Sequence, residues 1–222
     1  MTNNVNIELS SEELRVEPGG TVQLTVCIKN PGTEPDRFQV EIEGIDMEWY
    51  AIPVPAFTVE SGEEKKERIL FKPPRTSESR SGVYPFIVRV RSLETGSTSI
   101  AQGTLIIPAF HLLTTELLPK RGTASFFRST VEYELTLSNL GNTELTLQLF
   151  ASDPEDVCIF EFESERVVIP AGGQTTMLMH VQPGRSSVIG PTRLFGFTVT
   201  ARAVDNAYIS SSTQGQIERK AV

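Results

Sequence analysis

Residues 22–32 read Val-Gln-Leu-Thr-Val-Cys-Ile-Lys-Asn-Pro-Gly, and residues 131–141 read Val-Glu-Tyr-Glu-Leu-Thr-Leu-Ser-Asn-Leu-Gly. In the first run Val22, Leu24, Val26 and Ile28 alternate with Gln23, Thr25, Cys27 and Lys29. In the second, Val131, Tyr133, Leu135 and Leu137 alternate with Glu132, Glu134, Thr136 and Ser138. A period of two sends one set of side chains into a core and the other toward water, the pattern of a half-buried β-strand. Each run stops at Asn-x-Gly, a triplet that accepts the left-handed backbone of a turn. The second run starts 109 residues after the first, and the match holds position by position.

The correspondence extends outward. Ser61-Gly62 followed by Ile69 to Arg75 (ILFKPPR) matches Ala171-Gly172 followed by Met179 to Arg185 (MHVQPGR) at an offset of 110. Tyr84, Phe86, Val88 and Val90 match Phe195, Phe197, Val199 and Ala201 at an offset of 111. Three blocks in the same order, with their turns, predict an internal duplication into residues 1–109 and 110–222, joined near Pro108-Ala109-Phe110-His111. Inside each copy, short alternating runs are punctuated by turn signals such as Pro18-Gly19-Gly20, Asn30-Pro31-Gly32, Ser61-Gly62 and Glu94-Thr95-Gly96, with no sustained helical period. This predicts an all-β fold of two tandem antiparallel sandwiches of about seven strands each. Ser10 to Leu14 reads either as a Ser-capped helical turn or as a bend after a lead-in strand at Val5 to Leu9. The joint is apolar (Leu105, Ile106, Ile107, Phe110, Leu112, Leu113), where a flexible linker is rich in Gly and Ser. It predicts that the last strand of copy one runs nearly straight into copy two.

The segments 18–32 (PGGTVQLTVCIKNPG), 57–74 (FTVESGEEKKERILFKPP) and 82–90 (GVYPFIVRV) resemble bacterial immunoglobulin-like modules, in particular those found beside glycosidase and sugar-binding domains. The resemblance covers each half; in the second copy Phe127-Arg128-Ser129 stands where Pro-Gly-Gly stood. It implies an immunoglobulin-like sandwich serving as a spacer or interaction domain, and says almost nothing about activity.

The chain of 222 residues carries 28 acids against 20 bases, a net charge of −8, and 39% hydrophobic residues. The hydrophobic content is too high for a disordered tail. The acidic balance argues against nucleic acid and anionic membranes as partners, because both need clustered Lys and Arg. The N-terminus, Met-Thr-Asn-Asn-Val-Asn-Ile-Glu, has neither the basic nor the apolar region of a signal peptide, and no window has the apolar length of a membrane span. Cys27 and Cys158 fall in different copies, so neither copy can form a disulfide framework. These features predict a cytoplasmic, reducing location.

Chemistry is sparse. The two histidines are His111, at the joint, and His180, whose parity in Met177-Leu178-Met179-His180-Val181 turns it outward with no nucleophile in view. Cys27 has solvent-side parity, Cys158 an ambiguous one, and neither has a sequence neighbour that lowers a thiol pKa. Asp153-Pro154-Glu155-Asp156 prompts a test for calcium, but proline interrupts it and solvated loop acids are the plainer reading. Glu63 to Arg68 reads as a charged edge that discourages aggregation. Arg75, Arg80, Arg89 and Arg91 form an anion site only if the fold gathers them.

Trp49 and Tyr50 are the most informative pair. Trp49 reads as a core anchor, and strand alternation then turns Tyr50 outward. The candidate interaction surface is therefore Trp49, Tyr50, Phe110 and His111, with no catalytic, cofactor-binding or metal-binding residue. The expected function is a non-catalytic structural or adaptor protein, an accessory subunit of a larger bacterial assembly with protein partners. A carbohydrate-binding accessory module is the alternative, and requires several coplanar exposed aromatics. An enzyme requires a cleft around His111.

Overall fold

The structure is a computed structural model that describes residues 5–125, 127–184 and 192–220. Residues 1–4 of the N-terminal stretch and Arg185 of the second repeat block lie outside the described residues. The chain forms two compact units, Met1–Phe110 and His111–Val222.

Unit 1 runs β1 (Asn6–Leu9), β2 (Glu13–Arg15), β3 (Val22–Lys29), β4 (Asp36–Glu43), a 3₁₀ turn (Met47–Trp49), β5 (Tyr50–Ala51), β6 (Ala56–Val59), β7 (Glu64–Phe71), β8 (Gly82–Ser92) and β9 (Thr98–Ile107). Its two sheets have the orders β1-β3-β7-β5 and β2-β9-β8-β4-β6. Unit 2 runs β10 (Leu113–Leu118), β11 (Arg121–Ala124), β12 (Val131–Asn139), β13 (Leu145–Ser152), β14 (Ile159–Phe162), β15 (Arg166–Ile169), β16 (Gln174–Gln182), β17 (Arg193–Ala203) and β18 (Ser210–Arg219). Its sheets, β10-β12-β16-β14 and β11-β18-β17-β13-β15, repeat the first unit strand for strand. The four-on-three strand order of immunoglobulin-like sandwiches lies inside each.

Three details differ from the sequence expectation. Each unit has nine strand segments among its described residues rather than about seven, because the leading strand breaks and serves both sheets and a short edge strand, β6 or β15, pairs beside β4 or β13. The break is a bend after β1, so Ser10 to Leu14 is not a helical turn. The second half of the broken strand pairs parallel, β2 with β9 and β11 with β18, while the other pairs are antiparallel. Nor does a strand run across the joint: residues 108–112 separate β9 from β10 and carry no regular structure.

Alternation places the cores. Leu24, Val26 and Ile28 of β3 and Val131, Tyr133, Leu135 and Leu137 of β12 are buried against the facing sheet's Phe86, Val88 and Val90 or Phe197, Val199 and Ala201. Burying a side chain of this size contributes about 1.5–3 kcal/mol. In both cores a phenylalanine lies across a glycine on the neighbouring strand: Phe86 opposite Gly103, and Phe197 opposite Gly215. A side chain at either glycine would run into that ring.

The asparagine that ends each first core strand is a clasp between sheets. Asn30 Nδ2 donates to the carbonyls of Glu34 (2.8 Å) and Val59 (3.0 Å), and Gly32 N–H donates to its Oδ1 (2.9 Å). Asn139 Nδ2 donates to Thr143 (2.8 Å) and Ile169 (3.1 Å), and Gly141 N–H donates to its Oδ1 (3.1 Å). Val59 ends β6 and Ile169 ends β15, strands of the opposite sheet, so each clasp bridges the sandwich.

Candidate functional site

Trp49 closes the 3₁₀ turn, which Asp46 caps by accepting the Glu48 N–H at 2.9 Å. Its ring is buried and meets Tyr84 edge-on, centroids 5.3 Å apart. Tyr50 opens β5 opposite Phe71 and is partly buried against the same core. The outward Tyr50 expected from alternation is therefore not present. Alternation does not run through the pair, because Trp49 belongs to a 3₁₀ turn and not to a strand. Phe110 is buried with the Arg75 guanidinium 4.6 Å from its ring centre, a cation–π contact. His111 is exposed. Of the four residues, Trp49 and Tyr50 thus support the core, and Phe110 packs under an arginine.

His180 faces outward, its Nε2 3.5 Å from Glu132 Oε2, with Glu161 opposite it on the other neighbouring strand. Burial, then the Glu64 carboxylate, raises the Cys27 thiol pKa. Burial, then Asp153, pushes Cys158 up to about 11. Both shifts oppose the thiolate that nucleophilic chemistry needs. The four arginines are not gathered into one site: Arg75 packs on Phe110, Arg80 lies before β8, and Arg89 and Arg91 share one face of β8, with Arg89 held by Glu43 at 2.7 Å. The charged run 63–68 lies mostly in β7, where β5 covers only Leu70 and Phe71, so its charges do border an open side.

Asp153 organises its own loop. Its carboxylate accepts from Glu155 N–H (3.1 Å), Val157 N–H (3.2 Å) and Cys158 N–H (2.9 Å). Burial works against the charge, but these backbone donors outweigh it and hold the carboxyl below its usual value. Among the described residues no group of three His, Cys, Asp or Glu gathers into a metal site. Asp153→Ala is expected to cost unit 2 about 1–2 kcal/mol at pH 7. Because the folded pKa is depressed, the wild-type advantage is present above the unfolded value of about 3.9 and disappears as pH falls through the folded pKa. Urea titrations of both proteins at pH 7 and near pH 2 check this; an advantage that persists undiminished at the lower pH would contradict it.

The two copies differ at one edge. In unit 1, β5 has two residues, and Ile52-Pro53-Val54-Pro55 leads into the edge strand β6. In unit 2, β14 has four residues, and the proline-free Glu163-Ser164-Glu165 leads into the edge strand β15. The Leu149 N–H donates to the Glu165 carbonyl at 2.8 Å, which sets the ladder's phase. Val167 then faces β13 with its main chain, while Arg166 and Val168 turn their N–H groups to the open side.

The outer face beside this edge is apolar and cationic. Val168, Thr146 and Val204 make one row; Arg166, Gln148 and Arg202 make the next; Phe150 and Thr200 make the third. Val168 (54%), Val204 (50%) and Phe150 (46%) are exposed, and Arg202 lies 5.5 Å from the Phe150 ring centre. These rows hold no carboxylate; Glu144 and Asp205 lie in the loops beyond them. Neither Arg166 nor Arg202 forms an ion pair among the described residues. Sequence reasoning missed this surface. Its only signal was the absence of prolines at 162–165 where copy one has Pro53 and Pro55. The exposed aromatics Phe127, Phe150 and Tyr208 sit on a loop, a strand and a hairpin, not in one coplanar row.

Strand order defines each unit as an immunoglobulin-like β-sandwich. No protein-family model and no curated protein matches the chain. Among solved structures, a protein of unknown function from Porphyromonas gingivalis W83 is similar at 15% identity and TM-score 0.35, over 96% of this chain and 99% of that one. The periplasmic chaperone SfaE is similar at 16% identity and TM-score 0.33, over 98% of this chain and 100% of that one. A family 123 glycoside hydrolase from Clostridium perfringens is similar at 9% identity and TM-score 0.39, over 47% of this chain and 27% of that one.

Proposed function

We propose that this chain is a non-catalytic interaction scaffold. Two immunoglobulin-like modules in series act in a reducing, cytoplasmic setting as an accessory subunit of a larger bacterial assembly. The protein partner docks along the β14/β15 edge of unit 2. One observation carries this reading: the copies share a strand order, yet where the edge strand of the first turns Ala56 and Thr58 to the open side, that of the second turns Arg166 and an exposed Val168 there, with Ile159 exposed on β14. An open strand edge beside exposed apolar side chains is a template for strand addition. The raised thiol pKa values of Cys27 and Cys158 support a non-catalytic role, and one cysteine per unit suits a reducing compartment.

Cross-linking mass spectrometry on the tagged full chain in its native cells tests the reading. The double variant Ile159→Lys with Val168→Lys places charge on the edge without entering the core. The expected result is a defined set of protein cross-links in the wild type that the variant loses while keeping its circular dichroism and urea midpoint. Unchanged cross-links in the variant would remove this edge as the docking site. Glycan-array binding with no variant-sensitive protein would instead favour the carbohydrate-binding module that the resemblance to glycosidase-associated domains implies.

A further inference from the structure

Resting on the interaction reading above, we infer that β15 takes up an extended peptide segment that sets a carboxylate beside Arg166 and a branched apolar side chain beside Val168. Both residues meet the three requirements of strand recognition at once. β15 is the last strand of its sheet, and among the described residues no strand pairs with its outer side. The ladder phase set by Leu149 and Glu165 directs the N–H groups of Arg166 and Val168 to that side. Their side chains share the solvent face, where an added strand lies about 4.8 Å away and its residues pair with them directly.

Charge complementarity selects the occupant. The chain has an excess of acids, yet the rows around Arg166 hold two arginines, a stacked phenylalanine and two valines without a carboxylate. An incoming acid therefore meets Arg166 directly, while Arg202 lies two strands further along the same row. A basic residue in that position meets repulsion. On the other side of the strand, Val167 is partly buried against the core, so the segment's residue between acid and apolar partner is itself apolar. The recognised pattern is acid–apolar–apolar, read on an extended backbone. The Ser164 hydroxyl donates to the Arg166 carbonyl at 2.7 Å, leaving that oxygen a second lone pair for the incoming strand.

Unit 1 lacks the combination. Its equivalent strand β6 turns Ala56 and Thr58 to the open side, with no cation among its four residues and prolines at 53 and 55. The device belongs to the second copy alone.

The probe is a fluorescein-labelled octapeptide, Gly-Ser-Glu-Val-Ile-Val-Ser-Gly, compared by anisotropy with the same peptide carrying Lys in place of Glu, on the full chain at low salt. The acidic peptide is expected to bind about fivefold more tightly than the basic one, with the gap closing at high salt. Arg166→Glu is expected to reverse the preference. Val168→Pro removes an edge N–H without touching the ladder to β13, and is expected to abolish binding of both peptides. Hydrogen exchange at the Arg166 and Val168 amides should slow on adding the acidic peptide. Equal binding of the two peptides, lost in Val168→Pro, overturns the acidic preference and leaves the edge-docking reading standing. Binding that survives Val168→Pro overturns strand addition. Absence of binding by either peptide overturns this inference, while the cross-linking comparison still decides the docking edge.

Discussion

Asn139→Ala is expected to destabilise unit 2 by about 3 kcal/mol, and Asn30→Ala to destabilise unit 1 by about as much. Both side chains are nearly inaccessible, at 0% and 2% exposure, so water cannot replace what they do. Removing the Asn139 amide leaves the carbonyls of Thr143 and Ile169 and the N–H of Gly141 without that partner. A buried polar group left unsatisfied costs about 1–3 kcal/mol, well above the net worth of the bond itself. Asn139→Asp should be at least as damaging at pH 7, since a carboxylate cannot donate to two carbonyls. The chain's single tryptophan, Trp49, reports unit 1, so fluorescence and far-ultraviolet circular dichroism during urea unfolding assign each loss to its unit. A loss below about 1 kcal/mol at either position would show that the clasp is incidental to the sandwich.

The second large effect is steric. Gly215→Ala is expected to cost about 3 kcal/mol despite the better strand propensity of alanine. The added methyl would sit inside van der Waals contact of the Phe197 ring and 2.7 Å from Leu117 Cδ2. Phe197 cannot retreat easily, because its ring stands edge-on to Tyr133 at 5.3 Å and is 2% exposed. Gly103→Ala should behave alike against Phe86, which packs on Phe71 at 5.1 Å between centroids. A double-mutant cycle separates the causes. If the ring is the obstacle, adding Gly215→Ala to Phe197→Leu should cost about 1 kcal/mol or less, giving a coupling near 2 kcal/mol. Additive losses would place the cost at Leu117 or in the backbone instead.

The strand pairs of both units were legible because a half-buried strand writes its period directly into the sequence. Val22 to Lys29 and Val131 to Asn139 carry that period for eight and nine residues, long enough to be read without ambiguity. The Asn-x-Gly triplets were legible as turns, but not as clasps: the carbonyls that Asn30 and Asn139 hold lie about 30 residues further along, at Val59 and Ile169. Trp49 was rightly placed in the core. Tyr50 was misplaced, because strand alternation was carried through a 3₁₀ turn that a capping aspartate nucleates.

Duplication, strand period, turn positions and the acidic balance are properties of neighbouring residues, and the sequence alone determined them. The edge of β15, the row that joins Arg166, Gln148 and Arg202, and the glycine under each phenylalanine bring together residues up to 54 positions apart in the chain. Register decides those meetings. A slip of one residue would turn Val168 inward and Val167 outward, so only the packed sandwich, which penalises every misplaced side chain at once, settles which groups reach the surface together.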